Sequence, residues 1–395
     1  MESSGSAREV FASALRLGLT SFGGPIAHIG YFRREYVERR GWLDDTAFGD
    51  LVALCQSLPG PTSSQLGFAI GVRRAGLRGG VAAWLGFTLP SAAILIAFGL
   101  FFSRIDVTNA GWVHGLKLAA VAVVAQAVIV LFSRLAPDLR RRALVVVAAG
   151  VALAWQAPIA QVAVIAAAAV IGVLLRFPSA APVSGSAPSR VSRGTGTIAF
   201  LLFATLLIGL PLLRVVSSSL VEFVDAFYRS GALVFGGGHV VLPLLHTAVV
   251  DPSWVTNDQF VAGYGAAQAV PGPLFTFAGY LGAVANVAPG AIAGGAIAVI
   301  SIFLPGLLLI VAALPFWDRI RASTRARQAL SGTNAAVVGL LIAAFYTPVW
   351  TSAITGIADV GVALGGLVLL ATGRVPPILV VGLSALAGQL LVVIG

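Results

Sequence analysis

Charged residues all but vanish from long stretches of the chain, near residues 80–103, 112–133, 143–157, 159–176, 197–216, 290–313, 329–346, 352–371 and 377–394. A helix needs about 20 apolar residues to cross a bilayer core, so these runs predict about nine crossings, two of them short. Four further segments, 9–38, 44–72, 222–250 and 257–282, are apolar but interrupted. Each is split by a glycine- or proline-rich break: Phe22-Gly23-Gly24-Pro25, Leu58-Pro59-Gly60-Pro61, Phe235-Gly236-Gly237-Gly238 and Val270-Pro271-Gly272-Pro273. The arms on either side run to about 10 to 15 residues, too short to cross alone, which predicts re-entrant hairpins or broken helices.

The pattern occurs twice. At a shift of 213 residues Glu9 meets Glu222, Arg16 meets Arg229 and Phe22-Gly23-Gly24 meets Phe235-Gly236-Gly237. At 212, Trp42, Phe48, Gln56 and Pro59-Gly60-Pro61 meet Trp254, Phe260, Gln268 and Pro271-Gly272-Pro273. Pro90 and Arg104-Ile105 then align with Pro305 and Arg319-Ile320. Chance matching of apolar sequence supplies Ala, Val and Leu pairs but not this ordered set, so the chain reads as a duplication. The reading divides it into an N-terminal repeat over 1–176, a Pro-, Ser- and Gly-rich cytoplasmic linker over 177–197, and a C-terminal repeat with an extra leading span over 198–395.

Charge orients the two copies. The loops after the first copy's broken segments carry Arg33, Arg34, Arg39, Arg40, Arg73, Arg74 and Arg78, whereas the matching loops at 246–258 and 283–290 carry no Arg or Lys. The bias reverses further on, where Arg104 stands alone against Arg319, Arg321, Arg325 and Arg327. Under the positive-inside rule, corresponding loops lie on opposite sides of the membrane, and the repeats are inverted. Five crossings between the starts of the copies satisfy that inversion if the broken segments enter and leave on one side. The N-terminus is then cytoplasmic and the C-terminus outside.

Composition settles the class. The 395 residues could hold two or three soluble domains, but 10% are charged and 58% hydrophobic, with a mean hydropathy of +0.96; soluble domains are about 25% charged. The expected fold class is an all-α integral membrane protein of two inverted-topology repeats with broken or re-entrant helices and about nine full spans. The net charge of +10 sits between apolar runs and reads as loop charge rather than nucleic-acid binding. A single cysteine, Cys55, permits neither an intramolecular disulfide nor a thiol cluster. The first twenty residues lack a basic n-region, and Arg16 interrupts their apolar stretch, so no cleaved signal peptide is expected.

A helix broken inside the membrane exposes N–H groups at the start of its second half, where the dipole is positive. Four such breaks meeting near the midplane would cradle an anion through Gly23, Gly24, Gly60, Gly236, Gly237 and Gly272. Thr62, Ser63, Ser64 and Gln65 past the first Pro-Gly-Pro, and Thr276 past the second, add donors. Gln56 and Gln268, three residues before each Pro-Gly-Pro, are either substrate donors or helix caps. The plainer account of the breaks is close helix packing alone. Arg16 and Arg229, six residues before each Phe-Gly-Gly, sit at a depth where an arginine costs about 2.5 to 3.5 kcal/mol to insert. Their paired forks suit a divalent tetrahedral oxyanion; the alternatives are snorkelling or pairing with Glu9 and Glu222. Asp50, His28 and His239 are candidates for proton coupling, with capped or hydrogen-bonded structural roles as the bland readings. Lys117, the sole lysine, reads as a snorkelling side chain. No metal or cofactor is called for.

The stretches SFGGPIAHIGYFRREYVERRGWL and DLVALCQSLPGPTSSQLGFAIG, with LVFGGGHVVLPLL and AAQAVPGPLFTFAGYLG in the second copy, closely resemble the long-chain, two-domain type of the chromate ion transporter family. The resemblance implies a bacterial inner-membrane exporter of chromate, with sulfate a structurally similar competitor and proton coupling a further feature. Where members of the family carry an acidic residue, this chain has Leu244-Leu245-His246, so no carboxylate-dependent coupling is implied there. The expected partners are a chromate- or sulfate-like oxyanion and the bilayer, with no nucleic acid and a homodimer left open. An anion channel, or a transporter of another oxyanion such as sulfate, is the alternative. An intramembrane enzyme would need a nucleophile–base or metal constellation, and four scattered histidines with one cysteine show no such spacing.

Overall fold

The computed structural model describes residues 5–22, 24–103, 110–155, 158–178, 191–213, 219–234, 241–287, 289–317, 319 and 323–394. Among them the chain is helical, with no strand: α1 Ala7–Thr20, α2 Gly24–Arg33 continuing as a π-helical turn Arg34–Arg39, α3 Asp45–Ser57, α4 Thr62–Phe102, α5 Gly111–Leu135, α6 Leu139–Ala154, α7 Pro158–Leu174 and α8 Arg193–Leu213. The second half follows with α9 Ser219–Ala232, α10 Val241–Val249, α11 Asn257–Ala267, a 3-10 turn Leu274–Thr276 leading into α12 Phe277–Val284, α13 Ala291–Ala313, α14 Thr324–Ala344 with an irregular extension to Ala353, α15 Ile357–Ala371 and α16 Pro377–Ile394. Among the described residues each of the nine apolar runs overlaps a helix, and α8 begins at Arg193, inside the stretch assigned to the linker.

Among the described residues, five helices are long and apolar enough to cross a membrane: Thr62–Phe102, Gly111–Leu135, Arg193–Leu213, Ala291–Phe316 and Thr324–Ala353. Their outer faces, and those of α6, α7, α15 and α16, present Val146, Val147, Val170, Phe200, Leu201, Leu364 and Leu386 to the surroundings. Such continuous apolar exposure has lipid as its solvent. The protein is an all-α, multi-pass membrane protein.

The interrupted segments double back. Ser13 Oγ of α1 donates to Glu35 Oε1 at 3.1 Å and Arg40 lies 3.6 Å from Glu9, so the chain that enters with α1 leaves beside it. The next pair returns to the same place, because α4 bends at Ala75 and Gly76 and Arg74 sits 3.4 Å from Glu9. Arg40 and Arg74 both lie over the Trp42 ring, at 5.0 and 5.2 Å, and Trp42 stacks on Tyr36. At the centre of this clasp is Glu35. Burial pushes its carboxyl up, but hydrogen bonds from Arg40, Arg39 and Ser13 outweigh burial and hold it below the usual carboxylate range.

In the second half, Trp254 stacks on Phe223 and its carbonyl accepts from Asn286 N at 3.0 Å, which gathers the ends of α9, α11 and α12 in the same manner. These two gathered ends are at opposite poles. From its bend at the arginine clasp α4 runs to Phe102, which packs on Tyr280 of α12, while α13 starts beyond Asn286 and ends where Trp317 donates to Asp50 of α3. The remaining helices exchange partners between halves. α6 and α7 pack on α14, whereas α15 and α16 pack on α5.

Candidate functional site

Several helix starts away from the breaks carry side-chain caps, Ser6 on α1, Asp44 on α3, Asp138 on α6 and a Thr256–Gln259 capping box on α11, whereas α5 and α13 start without one. The helices that start at the Pro-Gly-Pro breaks carry none, since α4 follows Pro61 and the 3-10 turn follows Pro273. Yet the first turn of α4 is buried, with Thr62, Ser63, Ser64 and Gln65 at 7%, 3%, 1% and 0% exposure. A buried helix N-terminus without a cap is where an external acceptor is accommodated.

The breaks meet, and they are fastened crosswise. Gly60 N, in the first Pro-Gly-Pro, donates to Val234 O at 2.8 Å; Gly272 N, in the second, donates to Ser21 O at 2.9 Å. Ser21 and Val234 directly precede the two Phe-Gly-Gly breaks. Gly60 and Gly272 sit at φ +125° and +103°, a region open to glycine. Their neighbours also correspond. A Cβ on Gly60 would lie 3.0 Å from Gly306 Cα, next to Pro305, and one on Gly272 would lie 2.8 Å from Ser91 Oγ, next to Pro90. These two N–H groups are therefore spent on the interlock rather than left for a ligand.

Polar side chains crowd the crossing. Gln65 Nε2 donates to Pro59 O at 2.8 Å and Gly306 O at 3.2 Å, Thr276 Oγ1 donates to Pro273 O at 2.7 Å, and His28 Nε2 lies 3.2 Å from Ser21 O with its ring edge-on to Phe87. Ser21 Oγ, His28 Nδ1, Ser64 Oγ and Thr88 Oγ1 are buried without a hydrogen-bond partner among the described residues. Such groups need a ligand or water to complete them. Gly24 starts α2 at φ +75°, whereas Gln56 is exposed at the end of α3 and Gln268 half-buried after α11. Gly23, Gly236, Gly237 and His239 lie outside the described residues.

The two arginines have different surroundings. Arg16 is exposed, on the face of α1 opposite the buried Val10, Ser13, Ala14 and Leu17. Arg229 lines a cavity of about 520 Å³ between α7, α9 and α10, together with Gln161, Ser230, Thr247 and Asp251. Its Nε lies 3.4 Å from Oδ2 of the fully buried Asp225, one turn earlier on α9. Gln161 Nε2 donates to Thr247 Oγ1 at 3.0 Å across the cavity, and a second cavity of about 260 Å³ shares Gln161, Thr247 and Asp251 and adds His246. Glu9 pairs with Arg40 and Arg74, and Lys117 forms an ion pair with Asp258 at 3.1 Å. Asp50 is buried and accepts from Trp317 Nε1 at 3.0 Å, tying α3 to the end of α13.

Sequence reasoning missed Asp225, Gln161, Thr247 and Asp251. Gln161 and Thr247 lie 86 residues apart in the chain, and no periodicity joins them. Asp225 had a local signal, an acid four residues before a membrane arginine.

Crossed helix breaks inside an all-α membrane bundle, with uncapped helix starts and a cavity lined by Arg229 and Gln161, are the setting of a membrane transport site. The chain belongs to the chromate transporter family, which matches it over residues 8–173 and 221–389. It is 29% identical to the chromate transport protein of Pseudomonas aeruginosa over 84% of this chain and 79% of that one. Identity is 27% to the chromate transport protein of Cupriavidus metallidurans (92% and 87% covered) and 27% to the probable chromate transport protein of Synechococcus elongatus (95% and 93%). No solved structure matches.

Proposed function

We propose that the protein is a secondary transporter, not an enzyme, that exports chromate or a like tetrahedral dianion across the bacterial inner membrane. Membrane potential, proton coupling or both would drive it, with sulfate as a competitor. In this reading residues 1–176 and 198–395 are inverted copies joined by the linker at 177–197. The arginine clasp around Glu35 faces the cytoplasm with the N-terminus, and the C-terminus lies outside.

The observation that carries the reading is the crosswise fastening of Gly60 to Val234 and Gly272 to Ser21. It puts the breaks of both halves in one place, where inverted-repeat carriers bind substrate. Ser63, Ser64 and the uncapped start of α4 then offer donors to oxyanion oxygens, and Arg229 brings a guanidinium fork to the wall of a cavity. Everted inner-membrane vesicles test it. Radiolabelled chromate should accumulate inside energised vesicles from expressing cells, and excess sulfate should slow it. Accumulation equal to that in vesicles lacking the protein would overturn the reading.

A further inference from the structure

Asp225 and Arg229 form an unequal pair. The carboxylate is 0% exposed, whereas the guanidinium is 39% exposed and lines the cavity. Arg229 stands about 15 Å along α9, from a rise of about 1.5 Å per residue, with Asp225 as the ion-pair partner on its own helix. An anion entering the cavity meets a cation that already has a carboxylate at 3.4 Å. With Asp225 ionised the pair offers the anion little net charge; with Asp225 protonated the whole guanidinium charge is available.

We propose that Asp225 makes oxyanion binding at Arg229 proton-linked, one proton being taken up on the carboxylate for each dianion bound. This rests on the transporter reading of the same cavity. By reciprocity, the bound dianion raises the proton affinity of Asp225 by the factor by which the proton raises anion affinity. No bond is made or broken beyond transfer of a proton from solvent to a carboxylate oxygen. Among the described residues, other titratable groups near α9 are few. Glu222 and Tyr228 lie on α9 itself, and α10 brings His246, whose ring contacts Asn257 Oδ1 and Asp251, with Asp251 itself just beyond the helix. α13 carries no charged residue, and α8 has none beyond Arg193. His239 lies outside the described residues.

Sulfate is the probe, since it stays a dianion from pH 5.5 to 8 where chromate does not. Calorimetric titration of the full chain in nanodiscs, in two buffers of different ionisation enthalpy, reads affinity and proton uptake together. The expected result is close to one proton taken up per sulfate, with affinity falling towards tenfold per pH unit on the alkaline side of the transition. His246→Gln should keep this behaviour. Asp225→Asn should bind sulfate with no proton uptake, nearly independent of pH. If that variant does not insert, Asp225→Glu should retain uptake with a displaced midpoint. Proton uptake unchanged in Asp225→Asn, or a midpoint unmoved in Asp225→Glu, overturns the linkage while leaving the transporter reading in place. Failure of the wild type to bind either sulfate or chromate at any pH removes both.

Discussion

Four residues before Arg229 stands Asp225; four residues before Arg16 stands Ala12. In the duplication reading the two arginines occupy corresponding positions, but the partner of each guanidinium is set by side chains free to diverge. So one arginine faces a cavity beside a buried acid and the other lies on an exposed helix face. Replacing Arg229 with Gln should therefore abolish chromate flux with the protein still inserted, and Lys should rescue it only partly, because a point charge lacks the planar fork. Rates within twofold of wild type in the Gln variant would show that Arg229 plays no part in binding. Glu35 carries a different expectation, about stability. Its carboxyl is held below the ordinary value of about 4.3, so the clasp is fully present above that pH and weakens as pH falls through the depressed value. Glu35→Gln removes hydrogen bonds to charged groups worth about 1.5–3 kcal/mol each. Thermal unfolding in detergent, followed by tryptophan fluorescence, should place the variant well below wild type at pH 7, and the two should converge in acid. A constant difference at every pH would deny the carboxylate its role.

The helical elements were legible because hydrophobic run length and broken runs are local properties. Among the described residues each apolar run overlaps a helix, and the arms around the breaks double back as their length required. What could not be read was partnership. Nothing in the periodicity of α6 and α7 says that they pack on α14, since an apolar face fits any apolar face. The crossing of the breaks was an expectation from duplication alone, and its hydrogen bonds took up N–H groups that sequence reasoning had left for the ligand. Two tests belong to this scale. Gly272→Ala and Gly60→Ala each force a side chain into a backbone region costing about 1–2 kcal/mol, against Ser91 Oγ at 2.8 Å or Gln65 Nε2 at 2.7 Å. Both should sharply reduce transport; if either is indifferent, the interlock is not required. Sidedness can be read with cysteines at Glu38 and at Asp251, because Cys55 is fully buried and Cys55→Ser provides a silent background. An impermeant maleimide should label the first only from the cytoplasm and the second only from outside. Labelling of both from one side would end the inverted arrangement.

For the whole molecule, charge sets the direction of movement. A cytoplasm-negative potential of about 100 mV favours outward movement of a dianion by roughly 4.6 kcal/mol, from about 2.3 kcal/mol per charge. That is more than a thousandfold gradient, since each 1.4 kcal/mol is tenfold. The proton linkage at Asp225 changes this arithmetic. If the proton travels with the anion, the moving charge is minus one and the electrical force falls to roughly 2.3 kcal/mol. Equilibrium accumulation separates the cases without knowledge of rates. In proteoliposomes at pH 8 on both sides, where chromate is a dianion, a clamped potential of about 60 mV gives a tenfold ratio for each charge moved. An anion moving alone should therefore reach a ratio of about a hundred, and one accompanied by a proton about ten. With the face that bears Arg39 and Arg40 held negative, accumulation should occur across the opposite face. Asp225→Asn should restore the larger ratio if that carboxylate carries the proton. A ratio of one at every potential would mean that compensating charge moves with each anion, and the potential would then have no part in driving export.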